Sequence, residues 1–155
     1  MICLQLLAIA SVALYFAPTG AHLFELPNKL ALPPEAYMVA QQLYAGWAAF
    51  GVVMLVALIA TFAHLLLARG NRGAVVLSAI AFAALLLTQA VFWTYTYPLN
   101  VETQNWTRAP AHFEDARRQW EYSHAASAIL TFLALISLTA ASLRLQSGSR
   151  GASSQ

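Results

Sequence analysis

Charge is scarce in this chain. Eight Lys and Arg and six Asp and Glu amount to 9% of the 155 residues, while 60% are hydrophobic and the mean hydropathy is +0.63. A soluble domain carries roughly 25% of the four charged types, so a water-covered globular surface is excluded. Cysteine is scarcer still: Cys3 stands alone, which excludes an internal disulfide and any CxxC redox or zinc motif. The net charge of +2 comes with no arginine-rich stripe, so nothing tracks a phosphate backbone and nucleic acid is not an expected partner. The apolar–polar alternation of a spanning β-barrel is also missing, for the residues from Val52 run VVMLVALIA without a break.

Continuous apolar runs are what the chain does contain. Lipid leaves backbone groups no partner outside a helix or a closed barrel, and about 20 residues cross the hydrocarbon. The expected fold is therefore all-α, a transmembrane four-helix bundle in a single domain over residues 1–145, with spans at about 2–18, 38–68, 74–97 and 117–143. Pro18 marks the limit of the first run, which lacks the Lys or Arg of a signal peptide and is read as a retained span. The second run is long, so one of its ends is expected to project from the hydrocarbon. Arg69-Gly-Asn-Arg72-Gly forms a tight turn, Pro98 is expected to end the third span, and the low-complexity residues 146–155 are expected to be disordered. No internal repeat is found.

The turn and the tail share one side and carry Arg69, Arg72, Arg144 and Arg150 with no acid. The opposite side carries as many Lys and Arg, but among Glu25, Glu35, Glu102, Glu114, Asp115 and Glu121. Arg117 and Arg118 read as part of a helix with acids around them, which favours both termini in the cytoplasm. A bacterial inner membrane is the expected location. Asn105-Trp-Thr107 formally matches a glycosylation acceptor in an outward loop.

Polar residues gather at the loop end of every span. His22, Glu25 and Lys29 follow the first run at helical steps. Tyr37, Gln41, Tyr44 and Ala48 share one face of the second, with Trp47 beside them. Gln89, Trp93, Thr96 and Asn100 share one face of the third, flanked by Tyr95 and Tyr97. The fourth offers Arg117, Trp120, Glu121 and His124, then Ser127 and Thr131. Stacked in a bundle, the four stripes make a polar, aromatic-walled pocket. Taken singly, Trp47, Tyr95, Tyr97 and Trp106 read as interfacial belt residues, Ser127 and Thr131 as small packing residues, and His64 as a lone interfacial histidine.

His22-Leu-Phe-Glu25 and Glu121-Tyr-Ser-His124 each pair a histidine with a carboxylate three residues apart, on helices expected to be neighbours. Three readings stay open. In the first, a structural network pairs Arg117 with Glu121 and Lys29 with Glu25. In the second, His124 or His22 is a proton-transfer base oriented by a carboxylate. In the third, His22, Glu25, Glu121 and His124 hold one Zn, Fe or Mn ion.

Tyr97-Pro-Leu-Asn100, Trp106, Pro110 and Arg117-Arg-Gln-Trp-Glu121-Tyr-Ser-His124 resemble the signature of the anthrone-oxygenase-like membrane proteins, a family largely described as a domain of unknown function. The resemblance implies a four-span fold and cofactor-independent oxygenation of a lipophilic aromatic substrate. It points to Asn100, Trp120, Glu121 and His124.

Two functions are set against each other on these grounds. One is an enzyme with His124 as base, Glu121 holding its tautomer and Asn100 steadying a developing enolate, the substrate lying against Trp93, Tyr97, Trp120, Gln41, Tyr44 and Arg117. The other is a non-catalytic membrane subunit, or a ligand- or metal-binding protein, that uses the same cluster. The bilayer and a lipophilic small molecule are the expected partners, and an oligomer is compatible with either function.

Overall fold

The computed structural model describes residues 2–152, with the side chains of 148–152 left aside. Among these residues every regular element is helical. Four helices are long and apolar enough to cross a membrane, at Ile2–Leu30, Trp47–Gly70, Arg72–Glu102 and Phe113–Ser147. The protein is a multi-pass integral membrane protein with an up-down-up-down bundle.

Helix α1 (Ile2–Leu30) runs through Pro18 and Pro27 instead of ending at residue 18. Pro18 cannot donate to the Leu14 carbonyl in the preceding turn, yet the helix continues past it; the Thr19 hydroxyl donates to the neighbouring carbonyls of Tyr15 at 3.3 Å and Phe16 at 3.2 Å. The extra turns carry His22, Glu25 and Lys29 on the same helix as the apolar span.

The second run is not one helix from residue 38. Pro34 opens the short helix α2 (Pro34–Gln41), where its fixed φ suits a first helical position. The chain then passes Gly46 at φ 85°, a left-handed conformation that glycine adopts without penalty. The span proper begins at Trp47 and continues as α3 (Phe50–Leu67). Asn71 caps the next helix by accepting from the Ala74 amide at 3.0 Å, as N-cap residues do.

The third span consists of α4 (Arg72–Val91), a π turn over Phe92–Thr96 and α5 (Tyr97–Glu102). Pro98 therefore does not end it. The π turn puts the Tyr97 amide on the Phe92 carbonyl, and Pro98 falls in the first turn of α5, where its missing N–H costs little. The Tyr95 carbonyl takes a hydrogen bond from Gln119 Nε2 at 3.0 Å. The last helix, α6 (Phe113–Ala152), starts with Glu114 and Asp115 against its positive dipole end. It meets no proline, so residues 146–152, expected to be disordered, continue it as helix. Residues 153–155 of that tail lie outside the described residues.

Helix α1 packs on α6 and α3, and α4 packs on α6 and α3, so the first and last spans are neighbours as expected. The turn half of the bundle is filled by Ala8, Val12, Met54, Ala57, Ala60, Ala81, Ala84, Leu85, Ala134 and Leu138. Alanines dominate because lipid supplies no hydrophobic drive between helices, and close backbone approach must replace it. Leu14, Ile59, Ile80 and Ile136 face outward from the four spans.

His64 is not a lone interfacial histidine. It is buried, with Nδ1 at 3.0 Å from Ser78 Oγ and Nε2 at 3.1 Å from Ser142 Oγ, and so ties α3 to α4 and α6. An interhelical hydrogen bond in a membrane contributes about 0.6 kcal/mol on average. Ser142→Ala is expected to lower unfolding stability by about that amount and His64→Leu by about twice as much, measured by denaturant titration in bicelles. Unchanged stability in both variants would show that the link carries no energy.

Candidate functional site

At the loop end of the bundle, four buried polar side chains close a ring. Lys29 Nζ, at the end of α1, lies 2.5 Å from Glu121 Oε1 on α6. Tyr37 donates its hydroxyl to the same oxygen at 2.8 Å. Gln41 Nε2 donates to Tyr37 Oη at 2.7 Å, and Lys29 Nζ donates to Gln41 Oε1 at 3.2 Å. Glu121 and Tyr37 are wholly inaccessible and Lys29 is 4% exposed. The ammonium also lies 4.5 Å from the centroid of the Tyr44 ring and 4.8 Å from that of Trp120, within the range of cation–π attraction.

Burial, and then the neighbouring Glu121 charge, hold the Tyr37 phenol above its ordinary pKa, so it remains a donor. Tyr44 bonds to the Glu25 carboxylate. Its phenol is pushed up by burial first and by that hydrogen bond second.

The pairings differ from those read from the sequence. Lys29 meets Glu121 rather than Glu25. Arg117 meets the Leu32 carbonyl at 2.7 Å and Glu114 at 2.5 Å, not Glu121. The chain leaving α1 exposes carbonyls that need donors, and the guanidinium satisfies one of them. Tyr37, Lys29 and the backbone of Leu32 have no recognisable motif, because their roles depend on α2 folding back over the end of the bundle.

Beside the ring lies a cavity of about 680 Å³ that all four spans line. Helix α1 contributes Tyr15 and His22, and the second span Trp47, Phe50, Gly51 and Met54. The third contributes Gln89, Phe92, Trp93, Thr96 and Asn100, and α6 contributes Trp120, His124 and Ser127. The His22 and His124 rings pack with centroids 4.2 Å apart and planes tilted by 36°. Trp120 sits 4.1 Å from His124, and Tyr44 4.4 Å from His22. His22 Nδ1 and His124 Nε2 are buried without a hydrogen-bond partner. Asn100 Oδ1 accepts from Trp120 Nε1 at 2.7 Å, which fixes the amide and leaves its NH₂ as the free donor.

The rim is unusual in its backbone. Gln104, Asn105 and Trp106 have φ of 50°, 54° and 61°, a left-handed run that side-chain-bearing residues rarely adopt. Thr103 holds it: its hydroxyl accepts from the Trp106 amide at 2.9 Å, and its carbonyl accepts from the Arg108 amide at 2.9 Å. Trp106 packs inward against Tyr37 and Trp120 at 5.2 and 5.8 Å, not outward as a belt residue. The π turn is the second irregularity on this wall, and such turns occur frequently at functional sites.

Of the residues expected at the site, His22, Gln41, Tyr44, Trp93, Asn100, Trp120 and His124 line the cavity. Glu25, Glu121, Arg117 and Tyr97 do not. Tyr97 is 43% exposed and packs at a tilt against Trp93. Glu121 bonds to Lys29 and Tyr37, so it does not hold the tautomer of His124. Among the described residues, no group of three or more His, Cys, Asp and Glu is placed to hold a metal ion. The set His22, Glu25, Glu121 and His124 does not converge, because Tyr44 and Lys29 have claimed the carboxylates. Gly51 carries no sequence signal beyond its place next to aromatic residues, and the match of Asn105-Trp-Thr107 to a glycosylation acceptor does not foretell that 104–107 form the rim.

Comparison with protein-family models, curated proteins and solved structures gives no match.

Removing one partner of a buried ion pair strands the other charge. Lys29→Met is therefore expected to cost about 3–5 kcal/mol, whereas Lys29→Met with Glu121→Leu recovers most of it. Stability in bicelles measures both, and a double variant no better than the single would refute the pairing.

Proposed function

We propose that the protein binds a lipophilic aromatic small molecule in this cavity and withdraws a proton from it, with His124 Nε2 as the base. One observation carries the reading. Two histidines that line an aromatic-walled cavity of about 680 Å³ each carry a buried ring nitrogen without a hydrogen-bond partner, and the cavity is within the size range of small-molecule sites. A buried nitrogen without a partner is costly, and a ligand that supplies the missing proton removes that cost.

The substrate supported best is a fused-ring aryl ketone with an activated methylene, the class implied by the resemblance to anthrone-oxygenase-like proteins. His124 accepts a methylene proton, and the charge moves to the ketone oxygen. The Asn100 NH₂ donates to that oxygen, the kind of fixed donor that stabilises developing negative charge. The carbanion then passes electrons to dioxygen. A carbon–oxygen bond forms, and the resulting hydroperoxide loses water to leave a second ketone, so one methylene and one O₂ give one carbonyl and one water. Trp120 and His22 hold the His124 ring from two sides. Glu121 and Lys29 act at a distance, by fixing the helix turn that carries Trp120. The all-basic turn side supports cytoplasmic termini, with the cavity toward the opposite face of a bacterial inner membrane.

Anthrone supplied in phosphatidylcholine vesicles tests the reading by the absorbance of the quinone product. General-base removal costs typically 10²–10⁴-fold. His124→Ala should lose turnover on that scale while still binding anthrone, and full turnover in that variant would overturn the assignment. Saturable binding without turnover in the unaltered protein would favour the non-catalytic ligand-binding function.

A further inference from the structure

The cavity has two faces through which a ligand could pass, and they are built differently. The roof, formed by residues 104–107, is tied down: Gln42 Nε2 donates to the Trp106 carbonyl at 3.0 Å. The side, between residues 45–54, which lead into and open the second span, and 89–96 of the third, has no such tie. Among the described residues no hydrogen bond or ring contact joins these two segments. On one edge of the seam stand small exposed residues, Ala45, Gly46, Ala48 and Gly51. On the other stands Trp93, 58% exposed.

Depth separates the two faces further. Gly51 lies four residues inside the Trp47–Gly70 span, about 6 Å along it, and Trp93 nine residues from the end of Arg72–Glu102, about 14 Å along it. Both of these edge residues thus lie within the apolar spans, whereas the roof lies outside them. A Cβ added at Gly51 would meet nothing within 4 Å, so the glycine is not required by packing. A side chain there would occupy the opening itself.

We propose that the ligand enters from the bilayer through the seam between the second and third spans, and that Gly51 keeps this lateral portal open and limits the width of what passes. The ligand class is then a membrane-dissolved, flat aromatic molecule rather than a water-soluble one. The inference rests on the cavity being a ligand site.

The test uses the full-length protein in phosphatidylcholine nanodiscs and anthraquinone as the probe, with quenching of tryptophan fluorescence followed by stopped flow. The unaltered protein should show saturable quenching. Gly51→Phe should slow association about tenfold or more, within the one to three decades over which such rates vary among variants of one site. Gly51→Leu should slow it less. Gln42→Ala, which releases the roof, should leave the rate within about twofold. Helix content by circular dichroism confirms that each variant is folded, and the Leu variant serves if the Phe variant is not. Association by both Gly51 variants at the unaltered rate would overturn the portal, as would a weaker affinity produced by faster dissociation alone. Acceleration by Gln42→Ala would move entry to the roof and overturn it as well. Failure of the unaltered protein to give saturable quenching would instead reject the ligand site beneath it, an outcome distinct from an unblocked portal.

Discussion

Lys29 and Glu121 meet at 2.5 Å with almost no access to water, and an ion pair in that setting dictates what surrounds it. Removing two charges from water is repaid only when the pair is close and the remaining donor and acceptor sites are also filled. The neighbours of this pair supply a phenol on the shared oxygen, an amide that bridges phenol and ammonium, and aromatic faces over the cation, while Glu121 Oε2 is left without a partner. To supply them α1 must outlast Pro18 and α2 must fold back across the bundle end. Trp120 and His124 then follow from Glu121 by their place on the same helix. The ion pair fixes the aromatic wall of the cavity without entering it.

The two halves of the bundle answer different requirements. At the turn end, alanines bring backbones close and His64 joins three helices through two serine hydroxyls, while Gln5 and Thr61 are buried there without partners. At the loop end larger side chains line a cavity, and His22 Nδ1 and His124 Nε2 are left without partners. An apolar packed layer containing Ala57, Ala84 and Leu138 separates the two. The rigid end gives the open end a fixed frame, which a site that must hold a donor and a base in register requires.

The four spans were legible because composition alone forces helices in lipid, and the convergence of Gln89, Trp93, Thr96 and Asn100 followed from their spacing. What escaped the sequence was decided by single backbone events. Pro18 and Pro98 read as terminators because a proline removes a hydrogen bond, but α1 carries on through Pro18, and Pro98 follows the π turn at Phe92–Thr96 into the first turn of α5. Gly46 reads as an ordinary small residue in an apolar run, yet its positive φ separates α2 from the second span. The pairings escaped for a related reason: sequence spacing reports neighbours along one helix, whereas Lys29 found Glu121 on another helix and Arg117, paired with Glu114 on its own helix, also reaches the Leu32 carbonyl.

The π turn has a consequence for how the cavity could change. One residue more than an α-helical turn needs is stored there, and each residue of an α-helix rotates the chain by about 100°. Loss of a single codon within Phe92–Thr96 would remove that stored residue and wind the turn back to α-helix, leaving Asn100 on the cavity wall and the apolar span below in register. The same loss within α4 would rotate everything beyond it, so the π turn is a place where this wall can give up a residue and keep its donor.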